Sequence, residues 1–425
     1  MPEIFEIEGG KKLKGVIEAR GSKNAAFPVL AATLLTKEDC FIDNLPLIED
    51  VFRMLEILKS LGVKIDWLSE RKIKVNSQKL SFAKVDRKTI SLLRGSILLY
   101  GALLKRVGDV FLPRPGGCII GARPIDSHLN AFSQFGVEVE EIGGDVRLRF
   151  SGKKIKPHYE IVLDEFSVTG TANVLLFAAT LPSKTTIKLA DEDYQVQELL
   201  KVLAKMGVKI IKIGHHEIQI QGKGNLRGFS HQLLFDPLEA GTFIVIAAAT
   251  KSELKVKNVE VDFLELFFKK LKNAGLPLII NDKQKEVKVF PFKSLKLGKL
   301  QALPYPGLHS DLLSALAVLA TQAEGATLIQ DPLYEGRFKY LEEINQMGAK
   351  IFFADPHRVL IEGPTSLFGK SLGSLDIRGG AALLIAALIA QGKSKISNIY
   401  QIDRGYERIE ERLQKIGAQI KRVVV

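Results

Sequence analysis

The chain has 425 residues, of which 46% are hydrophobic and 25% charged, and its formal net charge is +12. That length calls for two or more domains, and the composition is that of a globular protein, not of a disordered or collagenous one. The longest apolar runs, such as 381–390, are too short to span a bilayer, and two cysteines cannot build a disulfide framework.

A strand-like segment, 4–17, comes first in the chain and is expected to complete a sheet of the second domain. No basic-then-apolar signal precedes it, so the expected compartment is the cytoplasm. Helices that are apolar on nearly every side are predicted over 25–35, 97–104, 174–181, 243–250, 312–321 and 381–390, and such helices belong in a core. Amphipathic helices alternate with them, as at 51–61 and 196–206. Each ends in glycine followed by strand formers, as in Leu61-Gly62-Val63-Lys64-Ile65 and Met206-Gly207-Val208-Lys209-Ile210. The phrase returns at Gly136, Gly348 and Gly417, and in degraded form at Gly275. A period of about seventy residues is too long for the usual solenoids and suits six copies of a small α+β unit. In each, the glycine fits the position just past the helix end. Six units fit two domains of three, with a break near 234–239.

The polar residues that open the apolar helices are expected to be caps: Ser, Thr, Asp and Gly recur there. Lys23, Arg94 and Arg378 stand out, because a cation opposes the helix dipole at an N-terminus unless an anion sits between them. Repeat symmetry brings these starts to one end of each domain, which predicts an anion-binding cleft; the alternative is that the cations are simply solvated. The lysines are otherwise scattered, without a dense basic run or interleaved aromatics, which weighs against nucleic acid as a partner. From Pro113 to Pro124, three prolines and three glycines surround Cys118, with Arg114 and Arg123 on either side. Two readings fit that loop: a thiol activated by nearby cations, or an inert cysteine in a glycine turn.

Lys23-Asn24, the Pro115-Gly116-Gly117-Cys118 loop with Gly121-Ala122-Arg123-Pro124, and Ile402-Asp403-Arg404-Gly405-Tyr406-Glu407-Arg408 together resemble the enolpyruvyl transferases, in particular those that act on UDP-N-acetylglucosamine. The resemblance covers the whole chain. It implies an inside-out α/β barrel fold of six repeated βαβαββ-type units with buried helices, in two domains: 23–234, carrying the Cys118 loop, and 1–22 with 235–425, carrying Asp311 and Arg404.

The implied reaction moves the enolpyruvyl group of phosphoenolpyruvate to the 3-hydroxyl of UDP-N-acetylglucosamine and releases phosphate, the first committed step of peptidoglycan synthesis. Position by position, Cys118 matches the family's proton donor and covalent thiol, and Asp311 its base. Lys23, Arg123 and Arg404 match cations around the phosphate. Arg337 and Arg378 match further active-site arginines, the latter beside Asp376. Asn24, Arg94, Arg123, Pro124, Ile125, Asp126, Ser127, Ser167, Val168 and Leu333 match positions lining the nucleotide-sugar site. No metal or organic cofactor is implied, nor a nucleic-acid or membrane partner; the oligomeric state is left open.

The chain departs from the family pattern at several places. Glu165 replaces a frequent Lys, Ala190-Asp191-Glu192-Asp193-Tyr194-Gln195 replaces Arg-Glu-Pro-Glu, and His309-Ser310-Asp311 replaces Pro-Thr-Asp. Gly336 replaces Asn, and Ser167-Val168-Thr169-Gly170 is one residue longer than the common form. These departures raise the alternative of an inactive binding paralogue; two others stand beside it, an enolpyruvyl transferase with another acceptor such as shikimate 3-phosphate, and a basic nucleic-acid-binding or RNA-end-processing protein on a related repeat fold.

Overall fold

Six apolar helices organise the structure, a computed structural model that describes residues 3–82, 84–117, 121 and 123–425. They are α1 (Lys23–Ala32), α2 (Leu98–Val107), α3 (Val168–Ala179), α4 (Pro237–Ala249), α5 (Ser310–Ala320) and α6 (Ile377–Ile389). All six fall where the apolar runs predict them. In α5, Leu312, Leu313, Leu316 and Leu319 are all buried, and each contributes about 1.5–3 kcal/mol of transfer free energy.

Among the described residues the strands form six sheets, one to each repeat. In the third repeat, His158–Val162 runs parallel to Lys184–Lys188, with α3 as the crossover. The amphipathic helix Tyr194–Lys205 follows. The hairpin Lys209–Gly214/Glu217–Gln221 then adds two antiparallel strands. Each sheet packs one side on the helices and leaves the other to water. Arg358–Gly363, for example, alternates buried Val359 and Ile361 with exposed neighbours. Helices lie inside and sheets outside, which is the inside-out α/β arrangement. All six glycines of the recurring phrase have φ between +81° and +107°, the left-handed conformation that ends a helix most readily at glycine.

The described chain divides into two compact units: one within 21–117 and 124–234, and one made of residues 3–20, 121 and 123 with Phe235–Val425. The first begins at Gly21, two residues before the expected Lys23. The reason is local: Ser22 N–H donates to Leu234 O (2.9 Å), and Ser22 Oγ caps α1 by accepting from Ala25 N–H (3.3 Å). The N-terminal segment is two strands, not one. Lys14–Glu18 leads the sheet of the fourth repeat and Glu3–Glu8 is an inner strand of the sixth.

Within each unit the three core helices start at the same end. In the first, Gly95 lies against Phe27, near the start of α1. Asn173 of α3 donates to Ile97 O (2.9 Å) and accepts from Gly101 N–H (3.0 Å). A methyl group at Gly101 would sit 2.4 Å from Asn173 O, so the close approach of α2 and α3 requires glycine. In the second, Gly241 of α4 faces Leu312 of α5, and Asp311 of α5 meets Arg378 of α6.

Candidate active site

In the second unit, the start of α5 presents a carboxylate held between two guanidinium groups. His309 is the cap: its Nδ1 accepts from Asp311 N–H at 3.0 Å. Asp311 is therefore not the cap that Ser-Asp before an apolar run suggests, and its side chain faces outward from the helix start. Oδ1 accepts from Arg337 Nη2 at 2.8 Å, and Oδ2 from Arg378 Nε at 2.9 Å. Burial alone raises the pKa of this carboxyl, but Arg378 and Arg337 outweigh it and hold the group well below the usual carboxylate range. Asp311 is thus ionised at any working pH.

Both arginines are fixed from behind. Arg337 lies over the ring of Tyr334 (4.8 Å), and Arg123 approaches the same ring (5.9 Å). Asp331 Oδ2 stands 3.6 Å from Arg337 Nε and accepts from Ser310 Oγ. Arg378 Nη1 donates to Tyr406 OH at 2.9 Å, and that hydroxyl bonds Thr242 Oγ1 at 3.1 Å. Arg378 Nη2 is buried without an acceptor among the described residues. A buried guanidinium donor left in this state is costly unless an incoming anion takes it.

Asp376 does a different job: its Oδ1 accepts from the N–H groups of Arg378 and Gly379, each at 2.9 Å, and so caps α6. Leu333 is exposed, with its N–H on Asp331 Oδ1. Arg404 is largely buried at the end of the short helix Tyr400–Asp403, where its Nη1 donates to Gln401 Oε1 (2.9 Å).

In the first unit, the expected residues gather around the helix starts. Lys23 Nζ stands 3.3 Å from Asp50 Oδ2 and 5.6 Å from the centre of the Phe27 ring. The cation at the start of α1 is thus balanced by the protein's own carboxylate, as Arg378 is by Asp311. Asn24 donates to Tyr194 OH (3.3 Å), and Arg94 Nη2 to Pro124 O (3.1 Å). Ile125 is buried at the entry to the helix Asp126–Gln134, whose first residue, Asp126, is exposed. Ser127 donates to Glu165 Oε1 (3.2 Å), so the departure at Glu165 sits directly on an expected site residue. Ser167 caps α3 by accepting from Gly170 N–H (3.1 Å), and Val168 is the first residue of that helix.

Below these starts lies buried His128. Its Nδ1 faces Asn173 Nδ2 (2.9 Å) and its Nε2 faces Thr169 Oγ1 (3.3 Å). Asn173 Nδ2 can only donate, so Nδ1 accepts and the ring is neutral, with its proton on Nε2. Burial, aided by the charge of Arg94, pushes its pKa down to about 3.

Cys118 lies outside the described residues. Arg114, expected to flank the thiol, turns its guanidinium to Glu141. Sequence reasoning missed Asp50, His128, Asn173, Asp331 and Tyr334. Asp50 reads as an ordinary acid in the first turn of the amphipathic helix Glu49–Ser60, and Asp331 as a strand end before Pro332. No local pattern marks them; only the fold gives each its cationic or polar partner. Among the described residues no three of His, Cys, Asp and Glu converge as a metal site would require, and no helix is long and apolar enough to cross a membrane.

This architecture is that of the enolpyruvyl transferases. The chain overlays the crystal structure of the enolpyruvyl transferase NikO from Streptomyces tendae with a TM-score of 0.89, at 25% identity over 100% of this chain and 99% of that one. EPSP synthase from Acinetobacter baumannii shares the fold, with a TM-score of 0.76 and 18% identity over the whole of both chains. Residues 7–413 match the profile of the EPSP synthase (3-phosphoshikimate 1-carboxyvinyltransferase) family. The chain belongs to this enolpyruvyl transferase family, and within it to the UDP-N-acetylglucosamine 1-carboxyvinyltransferases. It is 40% identical to the protein of that name from Treponema denticola, over 98% of both chains. It is 37% identical to that from Bradyrhizobium diazoefficiens, over 99% of this chain and 98% of the other, and 37% identical to that from Bacteroides thetaiotaomicron, over 99% of both.

Proposed function

We propose that the chain transfers the enolpyruvyl group of phosphoenolpyruvate to the 3-hydroxyl of UDP-N-acetylglucosamine, releasing phosphate and committing the sugar nucleotide to peptidoglycan synthesis. The observation that carries this is full-length similarity to enzymes of that name, at up to 40% identity. Both substrates are soluble anions of cell metabolism, which supports a cytoplasmic setting.

The chemistry is addition followed by elimination. The sugar hydroxyl loses its proton as its oxygen bonds C2 of phosphoenolpyruvate, and the methylene carbon gains a proton to become methyl. Elimination returns a proton from that methyl group and expels phosphate, restoring the double bond. Cys118 is the proton donor to the methylene carbon, and Asp311 takes the hydroxyl proton. An aspartate held ionised by two arginines is a weak base. Substrate anions that draw on Arg337 and Arg378, whose Nη2 lacks an acceptor among the described residues, restore basicity where the proton must be taken. Lys23, Arg123 and Arg404 neutralise the phosphate as it leaves, and Asn24, Arg94, Pro124, Ile125, Asp126, Ser127, Ser167, Val168 and Leu333 orient the sugar nucleotide. Forked arginine donors suit the carboxylate and phosphate of phosphoenolpyruvate.

Mass spectrometry of the product tests the assignment. The sugar nucleotide should gain one enolpyruvyl group for each phosphate released. Phosphate without a modified sugar nucleotide would contradict it.

A further inference from the structure

Arg404 sits in a loop whose two ends are joined by a residue outside the site. The helix before the loop, Tyr400–Asp403, has four residues, and the helix after it, Ile409–Gln414, has six. Helices this short do not hold themselves and depend on tertiary anchors. Arg422, on the last strand Gln419–Val424, supplies such an anchor at both ends. Its Nη2 and Nη1 donate to Asp403 Oδ1 (2.7 Å) and Oδ2 (2.9 Å), a forked pair immediately before Arg404. Its Nε donates to Glu410 Oε1 (2.6 Å) in the following helix, and Nη1 also reaches Glu3 Oε2 (2.9 Å). The guanidinium lies over the ring of Phe5, its cross-strand partner. Three carboxylates thus meet one arginine, and only Arg's planar fork can serve them together.

We infer that Arg422, acting through Asp403, is a positioning residue for Arg404. It fixes the base of the loop so that the Arg404 guanidinium is already in place when an anion arrives. The inference rests on the assignment of Arg404 to the phosphate of phosphoenolpyruvate. Misplacing a positioned group by about 1 Å can cost about a hundredfold in rate, while loss of a partly exposed ion-pair cluster at a strand edge has a modest effect on stability.

The test is steady-state phosphate release by Arg422→Met, Arg422→Lys, Asp403→Asn and Arg404→Ala, each with a thermal scan. Arg404→Ala should raise the KM for phosphoenolpyruvate most. Arg422→Met and Asp403→Asn should each raise it about tenfold, with the KM for UDP-N-acetylglucosamine within about twofold of wild type. Arg422→Lys, which keeps the charge but loses the fork, should fall between Arg422→Met and wild type. If Arg422→Met does not fold, Asp403→Asn decides alone. A lowered Tm with both KM values unchanged in Arg422→Met and Asp403→Asn, while Arg404→Ala shows its effect, overturns the positioning role only. An unchanged KM in Arg404→Ala overturns the assignment of Arg404, and the inference with it.

Discussion

As the proposed base, Asp311 combines two demands that usually conflict. It must be ionised to accept a proton, yet the arginines that keep it ionised also make it a poor base. Asp311→Asn should therefore lower turnover at least a hundredfold, within the range of about 10²–10⁴ for loss of a general base. The chain should remain folded, because His309 and not Asp311 caps α5. Turnover within about threefold of wild type would remove Asp311 from the role. Nor should Asp311 give an acidic limb to the pH profile of kcat/KM anywhere near neutrality, since its carboxyl titrates well below the usual range. Cys40 makes a poor nucleophile. Cys40 is fully buried at the start of the strand Cys40–Asp43, and burial, with smaller help from Asp39 and Glu38, pushes its thiol up to about 12. An electrophile at neutral pH, including the epoxide fosfomycin, should modify Cys118 and spare Cys40. Peptide mapping that found the adduct on Cys40 would refute this.

His128 joins three elements: its own helix Asp126–Gln134, α2 through Asn173, which accepts from Gly101 N–H, and α3 through Asn173 and Thr169. Its pKa falls from 6.5 in the unfolded chain to about 3 in the fold. The folded state thus prefers the neutral ring. That contribution is fully present above about pH 6.5 and declines by up to about 1.4 kcal/mol per pH unit as pH falls toward 3. Denaturant titrations of wild type and His128→Gln should show the variant less stable at pH 8 and less sensitive to acid between pH 6 and 4. Parallel slopes would mean that His128 does not titrate with unfolding. At this scale, legibility in the sequence followed from locality. The core helices announce themselves because every face is apolar, and the glycines at 62, 136, 207, 275, 348 and 417 because a helix end needs a left-handed residue. Lys23 and Arg378 could be singled out as cations at helix starts, but not Asp50, since that pairing depends on how helices 27 residues apart in sequence pack. Likewise, two strands in different sheets were hidden inside the single segment 4–17, because pairing partners near 253 and 420 leave no local trace.

Over the whole molecule, six repeats place one site-bearing set of helix starts in each unit, and both sets carry cations balanced by the protein's own carboxylates. Ligand anions should exchange with those carboxylates, so binding should stabilise the fold. At about a hundred times its Kd, UDP-N-acetylglucosamine should add about 2.7 kcal/mol of stability, visible as a raised Tm, whereas shikimate 3-phosphate should leave the Tm unchanged. The decisive measurement is phosphate release from phosphoenolpyruvate with each acceptor in turn. The account predicts saturable release with UDP-N-acetylglucosamine and none above background with shikimate 3-phosphate or with no acceptor. Release with shikimate 3-phosphate, or none with UDP-N-acetylglucosamine, would contradict it.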